Sequence, residues 1–152
     1  MKQRNNVEGR VYRFRSKTER EELLVELPME VTEIVRAHMI LVLDWVPGRN
    51  DYVKVMTITS KNHDGEYLPI SPTPKKPYPF QLNFANPLPE FLWTGKLMRF
   101  TWLPLLSYLK VDASYDVPIS ALEEVADEYG NQIMLRLRQG GIRQLQHYVK
   151  SL

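Results

Sequence analysis

Apolar and polar positions along the chain follow two different periods. Over residues 39–46 and 52–60 the apolar positions are β-branched or aliphatic (Ile40, Val42, Val46, Val53, Val55, Ile58), which suits a pleated, half-buried surface. Between these runs, Pro47-Gly48-Arg49-Asn50-Asp51 supplies residues that fix or tolerate turn backbone. The pattern predicts a β-hairpin that ends in Thr57-Ile58-Thr59-Ser60, with hydroxyl side chains at a strand terminus. Alternation over residues 7–14 predicts an earlier strand, and further strands are expected over 97–103, 107–111, 115–119 and 133–138. Short, closely spaced strands of this kind predict a mainly β (α+β) domain, a small barrel or a sandwich. Its core is expected to contain Ile40, Val42, Val55, Phe100, Val111 and Val117.

Helical spacing appears at three places. Ser16 with Glu19, and Thr18 with Glu21, form overlapping capping boxes ahead of Leu23, Leu24 and Leu27, predicting a helix near 18–27 that stops at Pro28. Residues 29–36 fit a helix by the spacing of Val31, Ile34 and Val35, and a strand by their β-branched content. Ser120 with Glu123 predicts a second helix over 120–129, closed by Gly130-Asn131. After Gly140-Gly141, the positions Ile142, Leu145, Tyr148, Val149 and Leu152 predict an amphipathic helix over 141–151.

Composition narrows the class. A chain of 152 residues suits one domain, 1–152, able to bury a core without metal or disulfide staples. It has no cysteine, so there is neither a disulfide framework nor a thiol nucleophile, and a reducing compartment is expected: the cytoplasm, with the nucleus as the alternative. No apolar run approaches the ~20 residues of a membrane helix, and the polar, basic start lacks the apolar centre of a signal peptide. The net charge of +2 is unevenly spread. Residues 1–20 hold seven basic and two acidic residues, and 130–152 hold four basic and none acidic, leaving the middle at 9 minus 16. Basic ends can flank a polyanion, and they can equally be solubilising charge at surface termini. Seven of the eleven prolines fall within 69–89, interleaved with Tyr78, Phe80 and Phe84. That stretch reads as an extended surface loop, either a rigid connector or a ligand for aromatic-grooved domains.

One ordered set of short motifs carries a resemblance. Gly9-Arg10-Val11-Tyr12, then Arg36-Ala37-His38-Met39-Ile40-Leu41-Val42-Leu43, then Val55-Met56-Thr57-Ile58-Thr59-Ser60, then Leu109-Lys110-Val111-Asp112 and Val117-Pro118-Ile119-Ser120-Ala121-Leu122 together resemble the MazF/PemK-type toxin family, particularly its fungal relatives. The match spans about half the chain. It implies an SH3-like antiparallel barrel with peripheral helices, commonly a homodimer, whose bacterial members cut single-stranded RNA without a metal or cofactor. The helical insertion of about 16–36 and the Pro-rich loop of about 69–89 depart from the compact bacterial pattern.

Carried over by position, the family's strand-end hydroxyl falls on Thr59 or Ser60, its Arg-x-Asp pair on Lys110 and Asp112, and its basic residue before the second strand nearest Arg36. Metal-free RNA cleavage needs a base for the 2′-hydroxyl proton, an acid for the leaving oxygen and donors on the phosphate. The resemblance implies Asp112, Lys110 with Arg36, and Thr59 in these roles, with Ser60 and His38 beside them on the substrate. Lys110 departs from the family's arginine, and an ammonium cannot hold a phosphate in the planar two-point geometry of a guanidinium. Alternative readings stand beside these: Lys110 and Asp112 as a solvated ion pair, Thr59 as a turn residue, His38 as a histidine hydrogen-bonded to backbone. The resulting functions are an RNA-binding protein or metal-independent endoribonuclease, or an inactive SH3-like interaction module for a protein or peptide partner. The sequence contains no P-loop, dinucleotide fingerprint, nucleophile elbow or zinc spacing.

Overall fold

The computed structural model describes residues 7–59, 67–70, 107–125, 136–137 and 139–152. The expected strand at 97–103, the core candidate Phe100, most of the Pro-rich loop and most of the expected strand at 133–138 lie outside the described residues. Within them, seven strands join one antiparallel sheet: β1 (Val11–Phe14), β2 (Met39–Trp45), β3 (Tyr52–Thr59), β4 (Tyr67–Ile70), β5 (Ser107–Lys110), β6 (Tyr115–Pro118) and β7 (Leu122–Glu124). Their order is β4-β5-β3-β2-β1-β7, with β6 alongside β3. Three helices accompany them: α1 (Lys17–Glu22), α2 (Glu33–Arg36) and α3 (Gln139–Lys150). The protein is thus mainly β with a few helices. Among the described residues β4 and β7 remain the two ends of the order, and the sheet is not closed into a barrel there.

The predicted hairpin forms the centre. Beta-branched and aliphatic side chains extend the backbone of β2 and β3, and Gly48 and Asp51, at φ 77 and 62, reverse it between them. The two strands pair from Met39↔Ile58 to Trp45↔Val53, with a bulge at Leu43 between Val42↔Val55 and Asp44↔Lys54. That extra residue lets Val42 and Trp45, three apart, face the same cluster. The Leu43 carbonyl accepts a hydrogen bond from Gln146 Nε2 at 2.8 Å, so the bulge also anchors α3.

Both faces of this hairpin are covered. Leu41, Leu43, Met56, Ile58, Leu109 and Val111 form one cluster, closed by Leu137 and by Ile142 and Leu145 of α3. Tyr12, Phe14, Ile40, Val42, Val53, Val55, Val117 and Leu122 form the other, closed by Val31, with Leu27 and Val35 packed against it. Ile40, Leu41, Val42, Val53, Val55 and Met56 have no accessible surface, which is why β2 reads as a continuous apolar run. The core positions expected from alternation are buried wherever they are described: Ile40, Val42, Val55, Val111 and Val117.

Two helical expectations are corrected. Of the helix expected over 120–129, residues 126–129 lie outside the described residues, and the described part is instead a 3-10 turn over 119–121 followed by β7, which pairs with β1 through Phe14↔Leu122, Arg13↔Glu123 and Tyr12↔Glu124. An open edge of β1 takes this segment as a ladder partner, and Arg10 adds an ion pair to Glu124, so tertiary pairing outweighs the capping-box pattern. The helix at 18–27 ends early. Ser16 and Glu19 do form the capping box, but α1 stops at Glu22 and Leu24 turns to φ 57. Beyond this stop the chain lays Leu27 and Val31 on the second cluster. In the span 29–36 the structure has α2, N-capped by Thr32.

Candidate functional site

Strand register decides which of the candidate residues meet. β3 and β5 pair through Ile58↔Leu109 and Thr59↔Tyr108. Since cross-strand partners share a face and successive residues alternate, Thr59 and Tyr108 lie on one side, and Lys110, two residues on, lies on that side too. Leu109 and Val111 occupy the opposite side, in the cluster under α3. Carried on by one residue, the register sets Lys110 beside Thr57, whose side chain is buried and which pairs with Ile40 across β2. Thr57, Thr59, Tyr108 and Lys110 therefore share the face of the second cluster, at the end of the sheet where β2 begins and β3 ends.

Asp112 follows directly. Residues 111–114 leave β3 between β5 and β6, which pair with the same side of that strand. In this short departure Lys110 Nζ donates to Asp112 Oδ1 at 2.8 Å, with the two side chains 30% and 33% exposed. The pair is reachable by solvent. A cation and a carboxylate at that separation can contact an anion and a proton on neighbouring atoms of one ligand. Ser60 lies outside the described residues.

Arg36 and His38 flank the start of β2. Arg36 closes α2, and its Nη1 donates to the Val31 carbonyl at 2.9 Å, tying the insertion to the helix end. His38 Nδ1 lies 2.9 Å from the Ile34 carbonyl, which only accepts, so the contact is a hydrogen bond in the Nδ1–H tautomer. Met39↔Ile58 is the adjoining rung of the ladder, which brings His38 to the same end of the sheet as Thr59. Arg20, not singled out by the sequence, belongs with this group. Burial depresses its pKa from the ordinary guanidinium value and the Arg36 charge depresses it further, against the opposing charge of Glu21. The excess of basic residues before residue 21 is the one sequence signal that pointed there.

A separate groove opens on the β3–β6 side. It has a volume of about 500 Å³ and is bordered by Glu26 and Glu30 of the insertion, Tyr52 and Lys54 of β3, and Tyr115 and Asp116 of β6. Lys54 and Asp116 are cross-strand partners and form an ion pair at 3.0 Å, while Arg49 lies 3.7 Å from the centre of the Tyr52 ring. None of the candidate site residues named from the sequence lines it. Its walls come from three segments far apart in the chain, so no local motif announces it.

Among the described residues no group of three or more His, Asp or Glu side chains is arranged to hold a metal ion, and no helix is long and apolar enough to cross a membrane. Comparison with protein-family models, with curated proteins and with solved structures returned no match.

Proposed function

We propose that this chain is a MazF/PemK-like, SH3-like barrel protein that binds single-stranded RNA and cleaves it without a metal. The observation that supports this reading is the solvent-accessible Lys110–Asp112 pair, 2.8 Å apart at the sheet end that also carries Thr59. Asp112 takes the proton of a ribose 2′-hydroxyl, and the freed oxygen attacks the adjacent phosphorus. Lys110, with Arg36, stabilises the charge on the phosphoryl group and gives a proton to the departing 5′-oxygen, while the Thr59 hydroxyl donates to a non-bridging oxygen. The bond from phosphorus to the 5′-oxygen breaks, leaving a 2′,3′-cyclic phosphate and a 5′-hydroxyl. His38 and Ser60 border the bound strand, and two copies of the chain form the working unit.

The test uses a single-stranded RNA and the purified full chain. Cleavage is expected to survive a chelator and to weaken as salt rises, because each phosphate contact releases counterions. Asp112→Asn should lower the rate by about 10²–10⁴-fold, the usual share of general-base catalysis, with an unchanged circular dichroism spectrum. Intact RNA after prolonged incubation with the folded wild type removes the nuclease reading. Salt-sensitive binding without cleavage would leave an RNA-binding protein. The second reading, an SH3-like module for a protein partner, is favoured by a different feature: the exposed apolar side chains of the insertion between β1 and β2.

A further inference from the structure

The insertion presents its largest apolar side chains outward. Among the described residues, five large hydrophobic side chains are well exposed, and four of them, Leu23 (52%), Leu24 (91%), Met29 (95%) and Ile34 (75%), belong to this one segment. The segment is nonetheless firmly held. Val31 is buried in the second cluster, Leu27 and Val35 pack against it, and Ser16 and Thr32 cap the two short helices. A fixed surface that keeps several large apolar groups in water is suited to bury them against something else.

Leu24 sharpens the point. The amide of Val25 donates to the Arg20 carbonyl at 2.9 Å and that of Leu24 to the Glu21 carbonyl at 3.1 Å, the paired bonds of a helix stop whose left-handed position is normally glycine. Here that position, at φ 57, is a leucine. Its backbone bears a steric penalty, and its almost fully exposed side chain gains nothing in return within this chain. A bound partner would supply that return.

We infer that the segment from Leu23 to Ile34 is a docking surface for a basic amphipathic helix of a partner protein. Charge selects this occupant. Glu26, Glu30 and Glu33 are exposed on the segment and Glu21 and Glu22 just before it, and between Glu19 and Val35 the only basic residue is Arg20. Such a field repels RNA and anionic lipid and attracts Lys and Arg side chains placed around an apolar stripe. The groove beside it is lined by three acidic residues, Glu26, Glu30 and Asp116, against two basic ones, Arg49 and Lys54, of which Lys54 is paired with Asp116, so its charge also favours a basic side chain of the partner. A second copy is a poor match for the same face, since α3, the chain's own basic amphipathic helix, already spends Ile142 and Leu145 on the first cluster. The inference does not depend on the RNA reading, and its test does not measure RNA cleavage.

The experiment titrates the full chain into a fluorescent amphipathic Leu/Lys helical peptide and into its Leu/Glu counterpart, following anisotropy. The Leu/Lys peptide should bind saturably and lose affinity as salt rises, and the Leu/Glu peptide should not bind. Leu24→Gly should weaken binding about tenfold while leaving the thermal midpoint unchanged or raised, because glycine relieves the left-handed strain as it removes the apolar contact. Met29→Ser should weaken binding similarly at constant stability. Equal affinity of both variants and wild type would overturn the inference. So would sedimentation showing a dimer that Leu24→Gly dissolves, which makes a second copy the occupant.

Discussion

Val55 and Ile58 stand three residues apart on one strand and report on opposite faces of the sheet. Val55 belongs to the cluster under the insertion and has no accessible surface, whereas Ile58, 4% exposed, belongs to the cluster under α3. Val55→Ala deletes two carbons, about 1.6 kcal/mol of transfer free energy, and the cavity left between strands raises the cost to about 2–2.5 kcal/mol. Ile58→Val deletes one carbon and should cost about 1 kcal/mol. Because the sheet backbone separates the two sites and neither cluster contains the other's residues, the double variant should lose the sum, about 3–3.5 kcal/mol, within about 0.5 kcal/mol. Urea unfolding followed by tryptophan fluorescence measures this, with the slope of free energy against urea the same in all four proteins. An unchanged midpoint for Val55→Ala would place Val55 outside the core. A coupling larger than about 0.5 kcal/mol would mean that the two clusters are one, and would refute the two-faced sheet.

Gly9 sits at φ +81, and a Cβ there would lie 3.3 Å from the Cβ atoms of both Ile142 and Leu137. Gly9→Ala should therefore destabilise by about 2–3 kcal/mol through backbone strain and overpacking against Leu137 and α3, read as a lower urea midpoint. Tyr12 is buried, and that burial raises its hydroxyl pKa above the ordinary 10.0 despite the opposing charge of Arg10. Its folded pKa exceeds its unfolded one, so its contribution is fully present below about pH 10 and is lost as pH rises through the raised folded value. Tyr12→Phe should flatten that alkaline limb of the stability curve; a limb of unchanged steepness would show that Tyr12 is not its source.

Residue order by itself determined the local elements whose period is unambiguous. The hairpin of β2 and β3, β1, β5, β6 and the C-terminal helix follow from alternation, turn residues and helical spacing, because each depends mainly on neighbours in the chain. Alternation also identified Ile40, Val42, Val55, Val111 and Val117 as core, but it assigns only one buried face to a strand. That Leu41, Leu43, Met56 and Ile58 are buried as well was decided by α3, which arrives from the far end of the chain to cover the other side. The edge of β1 decided that Leu122–Glu124 is a strand, overriding a capping-box pattern that favours a helix, since an unpaired row of backbone donors and acceptors is costly when a partner is at hand. The candidate site divides in the same way. Lys110 and Asp112 are two residues apart, so their pairing was legible locally. The common face of Lys110 with Thr59 depends on the β3–β5 register, and the groove on three segments meeting. Contacts between residues distant in sequence are set by the packing of whole elements, and no local pattern of residues encodes them.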